Sequence, residues 1–149
     1  MATPLETVRT FIEEMINGNN PQGILSMVSE DVFYQNMPLK PARGIAEMAE
    51  FITDLGEIQD MTLKIHHIAE NADGTVFTER SDSWTMNGVK VVCPFVGVFQ
   101  VRMGKIVSWK DYFDLDMWAS SGQHSEEFWA KWGPEARKAD EAAHAGASA

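Results

Sequence analysis

The first third of the chain carries hydrophobic residues at helical spacing. The first such segment begins at Thr3, which can cap a helix, and ends at Asn17 and Gly18. Six hydrophobic residues of this segment fall on one helical face: Leu5, Val8, Phe11, Ile12, Met15 and Ile16. Two further helices are predicted, a short one that starts at Asn20 and a longer one over residues 45–55.

From Met61 onward the hydrophobic period changes from that of a helix to that of a strand. One strand is predicted from Met61 to His67, and three tight turns follow. The turns are predicted at Asp73-Gly74, Asn87-Gly88 and Met103-Gly104. The strands around them are predicted over residues 75–86, 89–101 and 105–113. An earlier strand is predicted over residues 32–36, where the loop from Pro38 to Pro41 closes it.

Helices first and a long run of hairpins afterwards are typical of an α+β fold. We therefore expect a mostly antiparallel sheet, with the helices covering one face of it. A chain of 149 residues is long enough for one domain around one core, which we place at residues 1–132. The Ala-rich residues 133–149 are predicted to form a tail that is a frayed helix or disordered.

Charge and cysteine content exclude several classes of function. The net charge is −10 and no cluster of Lys or Arg is present, which argues against nucleic-acid or membrane partners. Cys93 is the only cysteine, so neither disulfides nor a thiolate metal site are expected. His66 and His67 point to opposite faces of a strand and cannot share one metal ion from there. We predict a soluble, cytoplasmic protein that binds no metal and uses no cofactor.

Charged and polar residues interrupt hydrophobic rows on three predicted strands. Arg80 and Asp82 share one strand face, and Asp111 lies between two aromatic residues on the last strand. Tyr34 and Asn36 end an otherwise hydrophobic row on the strand before the proline loop. These five residues are the polar exceptions that a functional site would have to explain.

Burying an ionised carboxylate without a partner costs several kcal/mol, so Asp82 and Asp111 need compensation. Arg80 is the obvious partner. An Asp–Arg–Asp set becomes neutral when it holds one proton, which suggests one protonated and one ionised carboxyl group. From periodicity alone, two alternatives to an acid–base pair stay open. In the first, the set is a buried ion pair that only fixes strand register. In the second, both charges are solvated and the pocket lies elsewhere.

Four segments of the chain resemble the limonene-1,2-epoxide hydrolases. The resemblance covers about residues 5–115 and keeps the family's motif order with similar spacing. The matching segments are Tyr34–Pro38, Thr78–Asp82, Gly97–Gln100 and Trp109–Asp114.

The resemblance implies a fold, a chemistry and partners. The fold is a cone, in which a strongly curved mixed sheet and its helices enclose a deep pocket, and the protein is usually a homodimer. The partners are a small apolar epoxide and water, which react to a vicinal diol with no cofactor and no covalent intermediate. Asp111 matches the carboxylate that takes a proton from water, and Asp82 the acid that protonates the epoxide oxygen. Arg80 matches the bridging guanidinium, while Tyr34 and Asn36 match the residues that hold the water.

The predicted pocket wall departs from the family pattern. Trp84, Cys93 and Phe95 stand where aliphatic residues are common, and Phe113 shares the strand face of Asp111. Flat aromatic walls either narrow the pocket or suit a ring-bearing substrate. Limonene oxide is therefore not inferred as the substrate of this protein. A later aromatic stripe, formed by Phe128, Trp129 and Trp132, is expected to pack on the sheet or on a dimer partner rather than to cover the pocket.

Two other functions remain open for the same fold. One is an isomerase or cyclase of the ketosteroid-isomerase type, because this architecture supports several chemistries. The other is a small-ligand binding protein without catalysis.

Overall fold

The computed structural model describes residues 1–120 and 124–145 of the chain. Six α-helices are described: α1 (Pro4–Thr10), α2 (Pro21–Ser26), α3 (Ile45–Asp54), α4 (Leu115–Ala119), α5 (Glu126–Trp132) and α6 (Pro134–Ala143). A π-helix over Phe11–Ile16 continues α1 directly. Six strands are described: β1 (Val28–Asn36), β2 (Ala42–Arg43), β3 (Gln59–Glu70), β4 (Val76–Met86), β5 (Val89–Arg102) and β6 (Lys105–Tyr112).

The strands form one mixed, curved sheet in the order β2-β1-β6-β5-β4-β3. Strands β3 to β6 form three successive antiparallel hairpins, which confirms the predicted run of hairpins. Strand β1 pairs with β6 in parallel, although 68 residues separate the end of β1 from the start of β6. This pairing brings the end of β1 beside the end of β6, with Asn36 opposite Asp111.

Local residues explain why the helices and turns start where they do. The Thr3 hydroxyl accepts a hydrogen bond from the Glu6 N–H, and the Asn20 side chain caps α2 in the same way. Asn87 and Gly88 both have positive φ, as a two-residue hairpin turn requires. The fold class and the helical and strand periods predicted from the sequence are therefore confirmed.

Three local features differ from the sequence prediction. Strand β1 begins at Val28 rather than Val32, and the two-residue strand β2 was not predicted because it is too short to show a period. The second half of the first helix is π-helical, with the Asn17 N–H donating to the Ile12 carbonyl. The Asn17 side chain also makes two hydrogen bonds with the Leu63 backbone, and so ties this turn to β3.

The C-terminal segment packs on the domain. Helix α6 (Pro134–Ala143) lies in the segment that was predicted to be a frayed helix or disordered. Its Asp140 is 8% exposed and forms an ion pair with Arg43 at 2.9 Å, which ties the helix to the edge strand. The last part of the predicted tail, residues 146–149, lies outside the described residues. The boundary at residue 132 stays a prediction.

The aromatic stripe of α5 belongs to the core of the same chain. Phe128 and Trp132 are buried and pack on Phe51 of α3, with ring centroids 6.0 Å and 5.1 Å away. These two residues therefore stabilise the helical layer over the sheet. None of the described helices is long and apolar enough to cross a membrane.

Candidate active site

Strand alternation places the charged residues of β4 on the inner face of the sheet. Inner residues of β4 are buried, among them Thr78, Arg80, Asp82 and Trp84, whereas Phe77 of the opposite face is exposed. The predicted face assignment is thus confirmed. The charges lie among hydrophobic residues because the strand carries them at even spacing, two residues apart.

Arg80 is fully buried, and each of its five N–H groups has an acceptor. Its Nε and Nη2 donate to the two oxygens of Asp82, at 3.0 Å and 2.7 Å. Its Nη1 and Nη2 donate to the two oxygens of Asp111, at 3.1 Å and 3.0 Å. Nη1 also donates to Thr78 Oγ1 at 3.0 Å. The guanidinium therefore holds both carboxyl groups in a fixed geometry.

Asp111 has a second partner, which sequence reasoning did not identify. The indole Nε1 of Trp109, two residues earlier on β6, donates to Asp111 Oδ1 at 2.7 Å. Gly97 of β5 lies directly opposite Asp111 in the sheet. A Cβ at Gly97 would lie 2.4 Å from Arg80 Nη1 and 2.8 Å from Asp111 Oδ1. The absence of a side chain at Gly97 thus leaves the space in which the Arg80–Asp111 pair forms.

Tyr34 and Asn36 reach the carboxylates through the parallel pairing of β1 with β6. Tyr34 is opposite Trp109 and Asn36 is opposite Asp111. The Asn36 amide donates to the Tyr34 hydroxyl oxygen at 3.0 Å, so the two side chains form one polar pair. The structure therefore brings all five predicted catalytic candidates together at one place.

Burial shifts the ionisation of this cluster. Desolvation raises the pKa of Asp82 to about 6, and the Asp111 charge adds to that rise, while Arg80 opposes it. Desolvation, followed by the Asp111 charge, also raises the pKa of Tyr34 well above its usual value, so its phenol stays neutral. Burial lowers the pKa of Arg80, but the two carboxylates outweigh that effect and the guanidinium stays charged.

A cavity of about 300 Å³ opens onto this cluster. Its polar wall consists of Tyr34, Asn36, Asp82, Asp111 and His124. The rest of the wall is dominated by aliphatic and aromatic residues from the helices and the sheet, among them Ile16, Met48, Phe51, Leu55, Leu63, Trp84, Phe95, Trp109 and Trp118. The carboxyl groups therefore face an apolar space that can enclose a small ring-bearing molecule.

Two of the four predicted pocket residues lie in the wall. Trp84 and Phe95 line the cavity, and the Phe95 ring also covers the guanidinium of Arg80, 5.6 Å away. Cys93 and Phe113 do not line it, and that prediction is corrected. The Cys93 side chain is completely buried, and Phe113 packs on Phe95 with ring centroids 4.6 Å apart. Strand alternation gave Phe113 the face of Asp111, and the family resemblance placed Cys93 in the pocket, but neither showed the packing that covers these residues.

Two wall residues were missed because they come from the C-terminal segment. Trp118 of α4 and His124 stack on each other, with centroids 4.6 Å apart, and both line the cavity. Burial lowers the pKa of His124, which favours the neutral imidazole. Nothing in the periodicity of this segment indicates that it reaches the pocket.

Residues 1–120 and 124–145 contain no group of three His, Cys, Asp or Glu side chains that could hold a metal ion. The reactive groups at the cavity are instead the carboxyl groups of Asp82 and Asp111, which both bind the guanidinium of Arg80. The pKa of Asp82 is raised. Beside them lies a neutral phenol and amide pair. This arrangement can remove a proton from one reacting group and donate a proton to another.

Comparison with known proteins agrees with this chemistry. Residues 2–121 match the family model described as the limonene-1,2-epoxide hydrolase catalytic domain. Epoxide hydrolase EphG of Mycobacterium tuberculosis (strain ATCC 25618 / H37Rv) is 34% identical over 89 residues, 59% of this chain. The match spans 58% of that relative.

Solved structures show the same fold. An LEH-like epoxide hydrolase from M. tuberculosis superposes with a TM-score of 0.67 and 29% identity, over 79% of this chain and 88% of that one. A putative polyketide cyclase from Pseudomonas putida KT2440 superposes with a TM-score of 0.71 and 24% identity, over 81% of this chain and 98% of that one. At 24% identity, the likeness to the cyclase shows the fold alone. The epoxide hydrolase family model matches residues 2–121, which are most of the chain. The chain thus belongs to the limonene-1,2-epoxide hydrolase family.

Proposed function

We propose that this protein hydrolyses a small apolar epoxide to a vicinal diol by direct attack of water. The observation that carries the proposal is the Asp82–Arg80–Asp111 cluster at the wall of an apolar cavity. An epoxide opens most easily when carbon is attacked and oxygen is protonated together. The two carboxyl groups, in different protonation states, supply both functions.

Each member of the cluster has a distinct role in the proposed reaction. Asp111 removes a proton from the attacking water, which Tyr34 and Asn36 orient. Asp82, whose pKa of about 6 keeps a fraction protonated near neutral pH, donates its proton to the epoxide oxygen as the ring opens. Arg80 keeps its charge throughout and holds the two carboxyl groups at a fixed separation. Transfer of the proton from Asp111 back to Asp82, after the diol leaves, restores the starting state.

The wall chemistry supports an apolar, ring-bearing substrate. Trp84, Phe95, Trp109 and Trp118 present aromatic surface to the cavity, and the polar groups are few. A cyclic or aryl-substituted epoxide would bury its ring against these surfaces while its oxygen meets Asp82. A suitable panel is limonene oxide, cyclohexene oxide, styrene oxide and a bulkier steroid epoxide, because their turnover ranks the size of the pocket.

A single-turnover experiment in ¹⁸O-water tests the reaction type. With enzyme in excess over epoxide, and a chelator added, direct attack by water gives a labelled diol in the first turnover. A covalent ester intermediate would instead give an unlabelled first diol, because the oxygen then comes from a carboxylate. An isomerase or cyclase would give product without label, and a binding protein would give no product. Any of these three outcomes contradicts the proposal.

The pH dependence follows from the raised pKa of Asp82. A general acid acts only when it is protonated, so kcat/KM is expected to fall as pH rises above about 6, approaching tenfold per pH unit. The measurement is kcat/KM between pH 5 and 9, corrected for the uncatalysed hydrolysis of the epoxide at each pH. A flat profile between pH 6 and 8 would refute the role of Asp82 as the acid.

We also propose that the outer face of the sheet pairs with a second copy of this chain. Four hydrophobic residues on this face are exposed, on adjacent strands: Phe77, Val92, Val96 and Tyr112. Exposed apolar residues gathered on one sheet face are typical of a protein interface. Light scattering is expected to give a mass twice that of the 16.7 kDa chain. The variant Val96→Lys is expected to give the mass of a single chain. A monomer at micromolar concentration would exclude the dimer.

A further inference from the structure

We infer that Trp109 is a positioning residue that restricts proton acceptance to one oxygen of Asp111, namely Oδ2. This inference rests on the proposed function, because it assigns the atom at which the proposed base acts. It concerns a buried indole N–H that donates directly to one of the catalytic candidates.

The inference comes from counting donors and acceptors around Asp111. Each carboxylate oxygen can accept about two strong hydrogen bonds. Oδ1 already accepts two, from Arg80 Nη1 at 3.1 Å and from Trp109 Nε1 at 2.7 Å. Oδ2 accepts one from the described residues, from Arg80 Nη2 at 3.0 Å. A proton from water therefore finds its free position on Oδ2.

The surroundings of Oδ2 fit this assignment. Asp111 lines the cavity, and its neighbour across the parallel pairing is Asn36, which lines the cavity too. Asn36 and Tyr34 form the polar pair that is proposed to orient water. Water held between that pair and Asp111 has one basic atom available to it, so the direction of attack is fixed before the substrate binds.

The indole cannot easily turn its N–H away from Oδ1. The Phe99 ring stacks on the Trp109 ring at 5.4 Å, and the Phe11 edge meets it at the same centroid distance. The Tyr34 ring lies on a third side, 4.8 Å away. Trp109 is buried, so its N–H would lose a partner if the hydrogen bond broke. The bond therefore persists through the reaction and fixes the carboxylate plane.

The test removes the N–H while keeping the shape of the side chain. Site-specific replacement of Trp109 by 3-benzothienylalanine substitutes sulfur for the N–H in a ring of about the same size. We expect kcat to fall about tenfold or more with KM changed less than threefold, because positioning is lost and binding is not.

Replacement of Trp132 by 3-benzothienylalanine is the matched control. The Trp132 Nε1–H donates to Asp54 Oδ2 at 2.9 Å, and Trp132 lies outside the cavity wall. The same N–H is therefore removed away from Asp111, and kcat is expected to stay within about threefold. If the benzothienyl variant at Trp109 keeps its kcat, the inference is wrong. Failure of the proposed function is distinguishable, since then the unmodified protein itself gives no labelled diol.

Discussion

Asp111→Asn is expected to lower kcat/KM for epoxide hydrolysis by about 10³-fold or more, because an amide cannot take a proton from water. Asparagine keeps the size of the side chain, and its oxygen can still accept from Trp109 and Arg80. The variant is therefore expected to fold. The measurements are steady-state diol formation and a circular dichroism spectrum that overlays that of the unmodified protein.

Asp114→Asn is the matched control for this substitution. Asp114 lies three residues further along the chain and caps α4 by accepting from the Met117 N–H, a role that asparagine performs as well. Its activity is expected to stay within about twofold, since it is not part of the cluster.

The same loss is expected for Asp82→Asn, and the double variant with Asp111→Asn should be little worse than either single one, because the two residues act as a unit. Asp111→Asn with activity within tenfold of the unmodified protein would remove Asp111 as the base.

Arg80→Met is expected to have the largest effect on stability, a loss of about 3–5 kcal/mol in the free energy of unfolding at pH 8. Arg80 is fully buried, and its removal leaves the carboxylates of Asp82 and Asp111 without their counter-charge. For a chain of this length, such a loss lowers Tm by about 10 °C. Chemical denaturation and a thermal scan measure it directly.

The stability that Arg80→Met loses should depend on pH in a defined direction. Burial already raises the pKa of Asp82 to about 6, and without Arg80 it rises further. A group with a raised pKa in the folded state contributes its stability at low pH, and that contribution is lost as pH rises through the folded value. Arg80→Met is therefore expected to be least destabilising near pH 4 and most destabilising above pH 7.

A triple variant separates buried charge from lost packing. Arg80→Met with Asp82→Asn and Asp111→Asn removes all three charges, and it is expected to recover a large part of the lost stability at pH 8. If Arg80→Met alone changes the free energy of unfolding by less than about 1 kcal/mol at every pH, the two carboxylates do not depend on this guanidinium.

The catalytic candidates could be predicted from the sequence because strand alternation is a local property. Arg80 and Asp82 are two residues apart on one strand, so their shared face follows from the period alone. Their meeting with Asn36 depends on the parallel pairing of β1 with β6, which no local pattern contains. In this case the resemblance to a known family supplied that information.

The pocket wall was harder to predict, because packing decides it. Cys93 lies on the correct face but is fully covered, while His124 enters the cavity from a segment without strand or helix periodicity. The hydrogen bond from Trp109 could have been anticipated, since an indole two residues from a carboxylate on one strand face lies within reach of it.

The parallel pairing of β1 with β6 has a consequence for the order in which the molecule forms. The hairpins from β3 to β6 close short loops, whereas β1 must pair with β6 across the 68 residues between them, and this costs more loop entropy. Arg80 can therefore meet Asp82 and Asp111 within the hairpins before Tyr34 and Asn36 arrive. During synthesis, Tyr34 and Asn36 leave the ribosome first, but β1 cannot pair with β6 until residue 111 has also been made. Regain of activity on refolding should accordingly follow the docking of β1, rather than formation of the hairpins.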